Sequence, residues 1–201
     1  MNKTSKFVRG VGTKGNKYPS KRDGKVEKEY SLWSDMLRRC TENGWNKRPT
    51  YTGTTCSENF KSYSYFYEWC HNQIGFDSKD ENGNRWHLDK DLLVKGNKIY
   101  SEDTCAFVPA KINLLLIKCK ATRGELPIGV DLNKRDNKFR SVCSKDGKMK
   151  FLGSFNTPQE AFQAYKTFKE ALIKEVANEY KEMLDSRVYE ALMNYKVNEN
   201  D

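Results

Sequence analysis

The stretch from Leu126 to Tyr180 constrains the fold most. Ile128–Leu132, Lys138–Ser144 and Lys148–Phe155 read as three short strands. The turns between them, Asn133–Asn137 and Lys145-Asp146-Gly147, have the residue types that hairpins require. Thr157-Pro158-Gln159-Glu160 then opens a helix. Thr157 can cap it, Glu160 can bond back to the cap, and Pro158 suits the first helical position. Ala161, Tyr165, Phe168, Leu172 and Val176 recur at four- and three-residue steps, so one apolar stripe lies across one sheet face. The other face is left to solvent or a partner. Around it the segment supplies Lys134, Arg135, Lys138, Arg140, Lys145, Lys148 and Lys150. A small antiparallel sheet with a basic free face and a helix behind it suits contact with double-stranded DNA. The alternative is a protein-interaction module with a solvated basic face.

The charge distribution supports a polyanionic partner. The chain carries 36 Lys and Arg against 27 Asp and Glu, a net +9. Residues 1–29 hold nine basic and three acidic side chains, and residues 126–156 hold seven and three. Residues 157–201 run the other way, with six basic and nine acidic. Positive charge concentrated in two places fits phosphate contact better than a uniformly basic surface. A membrane surface is the competing polyanion, but the longest apolar run, Ile112–Ile117, is too short to span and no strongly basic amphipathic helix is present. We expect no membrane partner. The N-terminus shows charges without an apolar segment, and the six cysteines show no Cys-x-x-Cys spacing. Free thiols and a cytoplasmic location are therefore expected. A zinc site at Cys56, Cys70 and His71 fits no usual zinc spacing.

The C-terminal stretch is similar to a known family. Gly129-Val130, Lys138-Phe139-Arg140-Ser141, Leu152-Gly153-Ser154-Phe155-Asn156-Thr157, Glu160-Ala161 and Ala164-Tyr165 together resemble the AP2 DNA-binding domain. That resemblance implies a three-stranded sheet laid in the major groove. The plant pattern places Arg and Trp along the strands, where this chain has Asp131, Val142, Ser144, Met149 and Phe151.

The N-terminal part reads differently. Residues 1–29, rich in Lys, Gly, Asn and Ser, suggest a flexible basic arm or a solvated tail. Tyr30, Trp33, Met36, Leu37 and Cys40 predict a helix over residues 30–42, followed by an irregular stretch, 43–55. Phe60, Tyr63, Phe66, Tyr67, Trp69 and Cys70 predict an aromatic-rich helix, with core packing favoured over base stacking. Asp77–Arg85 is a polar loop. Residues 86–94 read as a strand that alternates His87, Asp89 and Asp91 onto one face. A second strand follows at Cys105–Val108, then a helix from Pro109 to about Cys119 with an apolar stripe of Ile112, Leu115, Leu116 and Cys119. Strand, loop, strand and helix have the proportions of a ββα-metal nuclease motif.

Residues 30–117, opening on Tyr30, Trp33 and Met36, resemble phage-type HNH endonuclease-related proteins, a group that includes free-standing homing endonucleases. Many of these carry an AP2-like domain after the nuclease module. The resemblance implies a DNA nuclease using Mg²⁺ or Mn²⁺, with Asp89 and Asn113 as metal ligands. The match is partial. Lys90 stands where the family has the His that deprotonates water, and the loop Asn of the family falls near Tyr100. A lysine, with an ordinary pKa of about 10.4, is a poor base near neutral pH unless desolvated. Asp89 and Asp91 beside it favour its charged form. His87 has a suitable intrinsic pKa, and His87 or Asn97 could substitute for the lost groups.

These readings combine into an α+β chain: an HNH-like ββα module followed by an AP2-like three-stranded antiparallel sheet plus helix. The expected parts are a basic arm (1–29), the ββα module (30–125), the DNA-binding domain (126–180) and an acidic tail (181–201). Two functions stay open. One is a metal-dependent endonuclease with His87, Asp89, Lys90 and Asp91 at its catalytic site. The other is a DNA-binding or regulatory protein that kept the fold and lost the chemistry.

Overall fold

The computed structural model describes residues 7–117 and 124–201. The chain mixes helices with small sheets and divides into two compact units, Met1–Ala110 and Lys111–Asp201.

In the first unit a short hairpin, β1 (Lys21–Arg22) with β2 (Lys25–Val26), leads into helix α1 (Lys28–Arg39). Helix α2 (Glu42–Lys47) and a 3-10 turn at Pro49–Tyr51 follow. The stretch expected to be irregular is thus partly helical. Thr41 caps α2 by accepting from the Gly44 amide, and Trp45 Nε1 donates to the Arg39 carbonyl at 2.9 Å. Gly44 is a poor helix former, but a Cβ there would lie 1.9 Å from the Arg38 carbonyl oxygen. Close backbone approach, invisible to local periodicity, selects the glycine.

Strand β3 (Thr55–Cys56) precedes helix α3 (Tyr63–His71). Then come β4 (His87–Asp89), β5 (Ile99–Tyr100), β6 (Ala106–Val108) and helix α4 (Ala110–Leu115), which crosses the division between the units. β3 pairs with β5 in parallel, and β4 with β6 antiparallel. The expected strand over residues 86–94 is therefore three residues long. The helix expected to reach Cys119 ends at Leu115, and Cys119 lies outside the described residues. The predicted aromatics form the core of this unit: Trp33, Phe60, Tyr63 and Phe66 are fully buried. Phe60 meets Trp69 edge-on at 4.8 Å, and Trp33 Nε1 donates to the Phe60 carbonyl at 2.7 Å. Such edge contacts suit the ring quadrupole, and the carbonyl satisfies the buried indole N–H.

Residues 7–27, expected as a flexible arm, are laced to this core. The Thr13 amide donates to the Lys61 carbonyl at 2.8 Å, and the Tyr63 amide donates to the Thr13 carbonyl at 3.0 Å. Tyr18 stacks on Tyr67 at 3.9 Å. Gly12 lies so close to the core that a Cβ would meet Leu37 at 2.3 Å and Trp33 at 2.5 Å. The low apolar content suggested disorder, but backbone hydrogen bonds at Thr13, the close approach of Gly12 and the stacked Tyr18 seat the segment.

The second unit holds β7 (Val130–Asn133), β8 (Lys138–Lys145) and β9 (Lys148–Phe155), antiparallel in that order. The long helix α5 (Pro158–Glu179) packs on the sheet, and α6 (Ser186–Met193) packs on α5. The β8–β9 turn has Asp146 and Gly147 at φ +51° and +73°, the paired left-handed conformation that tight hairpins select. The capping box forms as the sequence predicts. Thr157 Oγ1 accepts from the Glu160 amide, and the Glu160 carboxylate accepts from the Thr157 amide. Ala161, Tyr165, Leu172 and Val176 are buried, joined by Ile173 and Ala177, while Phe168 is half-buried. Gly129, at φ +76°, lies against the Tyr165 ring, and a Cβ would come within 2.0 Å of it. Among the described residues no helix is long and apolar enough to cross a membrane.

Candidate nucleic-acid interface

Strand register decides which face each sheet residue takes, because successive side chains alternate. Helix α5 covers the face of Val130, Ser141 and Cys143, all buried. The opposite face is ordered in rows by the pairing. Asn133 faces Lys138, and Asp131 faces Arg140, which faces Ser154. Beyond a bulge at Ser141/Val142, Val142 pairs with Phe151 and Ser144 with Met149. The bulge leaves Leu152 as the extra residue on β9 and restores alternation on either side.

The seven nominated basic residues are divided by this geometry. Lys138 and Arg140 sit on the helix-free face. Arg140 Nε donates to Asp131 Oδ1 at 2.7 Å, so the guanidinium is oriented along the sheet. Lys134 and Arg135 are exposed in the β7–β8 turn, whereas Lys148, exposed at the start of β9, pairs with Lys145 and so takes the helix side. Lys145 and Lys150 belong to the helix side. Lys145 Nζ pairs with Glu175 Oε1 at 2.6 Å, and Lys150 Nζ stands 4.8 Å from the Phe168 ring centroid. These two are engaged by α5, so the free face is less basic than the sequence suggested. Its centre is apolar: Met149 is 67% exposed and Phe151 60% exposed. The residues that depart from the plant pattern, Asp131, Val142, Ser144, Met149 and Phe151, all share this face.

The other candidate site lies in the first unit, at the end of β4. Asp89 does not continue a strand. Its Oδ1 accepts from the Asp91 amide at 2.9 Å and from the Leu92 amide at 2.7 Å, turning the chain. This local capping competes with strand formation. Asp91 accordingly leaves the strand, and the expected row of His87, Asp89 and Asp91 does not form. Burial, and then the neighbouring Asp91 charge, raise the Asp89 carboxyl above its ordinary pKa, against the two amide bonds that lower it.

Lys90 is buried. Its Nζ donates to Asp91 Oδ2 at 3.3 Å and to the Asn97 carbonyl at 3.2 Å. Asn97 is consumed in the same knot. Its Nδ2 donates to the Lys90 and Ile99 carbonyls at 2.7 and 2.6 Å, and its Oδ1 accepts from the Ile99 amide at 3.1 Å. Tyr100 is also buried, and its hydroxyl accepts from Arg39 Nη1 at 3.1 Å. His87 is exposed and lines a different feature, an open cleft of about 420 Å³ with Lys28, Asp35, Asn84 and Arg85. That cleft draws on four separate segments, so no local spacing could have revealed it.

Asn113 lies on α4, beyond the division between the units. Among the described residues no three His, Cys, Asp or Glu side chains gather as a metal-binding group. One Asp89 carboxylate oxygen, Oδ1, already serves two amides, and the Lys90 ammonium is buried nearby. Of the groups considered for zinc, His71 Nε2 lies 2.9 Å from Glu29 Oε1, and Cys56 and Cys70 are free thiols, Cys70 buried.

No family model, no curated protein and no solved structure matches this chain.

Proposed function

We propose that this chain is a duplex-DNA-binding protein that makes its contact through the helix-free face and edges of the β7–β8–β9 sheet. The observation that carries this reading is the sheet face opposite α5, on which Met149 and Phe151 are exposed. Exposed Lys134, Arg135, Lys138 and Arg140 edge it, while Glu175 of α5 lies behind the sheet. A cationic rim supplies phosphate contacts that fix register on a duplex, and the centre of the face is left for base edges. The order of an HNH-like half before an AP2-like half supports the same partner. In this reading Asp89, Lys90 and Asn97 are scaffold: each spends its polar atoms on the turn between β4 and β5.

A second reading is a Mg²⁺- or Mn²⁺-dependent DNA endonuclease. One observation favours it: β4 and β6 pair antiparallel and α4 follows them in the chain, the ββα order of that nuclease class. One experiment separates the two. Supercoiled plasmid is incubated with the protein in Mg²⁺, in Mn²⁺ and in chelator, beside Asp89→Asn. That variant keeps an oxygen for both amides while removing the charge. A salt-sensitive gel shift without nicking, equal in both proteins, is expected. Metal-dependent nicking that Asp89→Asn loses would replace the first reading with the second.

A further inference from the structure

The chemistry of the helix-free face is specific enough to name what it would touch. Val142, Ser144, Met149 and Phe151 form a two-by-two block across β8 and β9. Three of the four are apolar, and the two largest are more than half exposed. Nothing in the core requires them there, since α5 packs on the opposite side. The guanidinium nearest the block, that of Arg140, has its Nε committed to Asp131. The block itself carries one hydroxyl and no amide or cationic head, so it lacks the paired donors that read guanine or adenine. A surface of this kind pressed onto most base edges would strand their donors and acceptors. The major groove offers one apolar feature for it, the 5-methyl group of thymine.

Resting on the duplex-DNA reading above, we propose that Met149 and Phe151 contact thymine methyl groups in the major groove. The protein then prefers duplexes rich in A·T pairs. Charge complementarity sets the orientation. Lys138 lies on the same face as the block, with Lys134 and Arg135 in the adjoining turn. Cations at the rim can therefore meet phosphates while the apolar centre meets bases. A two-stranded ribbon such as β8–β9 is narrow enough to enter the major groove.

The test replaces thymine by uracil. A duplex of A·T pairs and the same duplex with deoxyuridine for thymidine differ only in the methyl groups and keep their base pairing. The full chain is titrated against each at low salt, beside the double variant Met149→Ser, Phe151→Ser. Both positions are exposed, so the core is untouched, and circular dichroism checks the fold. Each buried methyl is worth about fourfold in affinity. The uracil duplex is therefore expected to bind roughly fourfold to fifteenfold more weakly for one or two contacts, and the double variant should bind both duplexes alike. Equal binding of the two duplexes by the unmodified chain would overturn the inference and leave DNA binding standing. A difference that survives in the double variant would overturn the assignment to this face. Binding to neither duplex would overturn the DNA reading, and this inference with it.

Discussion

Two regions of this molecule began with equal claims to function, and the structure treats them oppositely. At the end of β4, Asp89, Lys90 and Asn97 turn their polar atoms inward to backbone groups and to one another. On the sheet of the second unit, Met149, Phe151, Lys138 and Arg140 are directed outward although burial of the apolar pair would have been favourable. Polar groups that are spent internally hold a fold together. Apolar groups left outside ask for a partner. Residue type pointed to both regions; the disposition of side chains favours the second.

Several substitutions would sharpen or break that contrast. The largest effect is expected at Gly129. Its positive φ and the Tyr165 ring against it leave no room for a Cβ. Gly129→Ala should cost the fold about 3 kcal/mol, read as a lowered urea midpoint by circular dichroism. An unchanged midpoint would mean that the helix does not press on the sheet as described.

Asp89→Ala comes next, because it strands two amides. A loss of about 2 kcal/mol is expected, whereas Asp89→Asn should stay within about 1 kcal/mol of the unmodified protein. The Asp89 pKa is raised in the fold above its ordinary 3.8. Its contribution to stability is therefore fully present below that value and is lost as pH rises through the folded-state pKa. Asp89→Asn should flatten this part of the stability profile just above the ordinary carboxylate range. Urea melts at stepped pH would show it, and a profile that instead steepens in the variant would reverse the assignment.

Thr157→Ala removes one half of the capping box on α5 and should cost about 1 kcal/mol, measured by thermal melting. Lys145→Ala gives the smallest effect. Its pair with Glu175 is substantially open to solvent, so less than about 1 kcal/mol is at stake. Lying on the helix side, it should leave DNA affinity nearly unchanged. A large loss of affinity in Lys145→Ala would mean that the helix-side edge, not the free face, meets the duplex.

The second unit was legible because its signals are local. The Asp146-Gly147 turn, the Thr157 cap and the Ala161-to-Val176 stripe each announce themselves within a few residues. The faces of individual lysines were not legible, because the bulge at Ser141/Val142 and the reach of α5 decide them. In the first unit the failures share a cause. The seating of residues 7–27 and the helical turn at Gly44 depend on close approaches that the sequence shows only as glycines. The short β4 follows from the side chain of Asp89, which captured the amides of Asp91 and Leu92. An aspartate ahead of a Lys-Asp-Leu run is a capping signal as much as a ligand signal, and here the backbone won it.

The central claim is contact with duplex DNA through the free face, and its most direct test is the salt dependence of binding. Fluorescence anisotropy of a labelled duplex would be followed across a salt series for the unmodified chain and for Lys138→Ala with Arg140→Ala. Each phosphate contact adds about 0.9 to the slope of log affinity against log salt. The double variant should therefore bind more weakly, with a slope shallower by about 2 if both residues meet phosphates. Equal affinity and equal slope in the two proteins would contradict the claim and place any DNA contact elsewhere on the molecule.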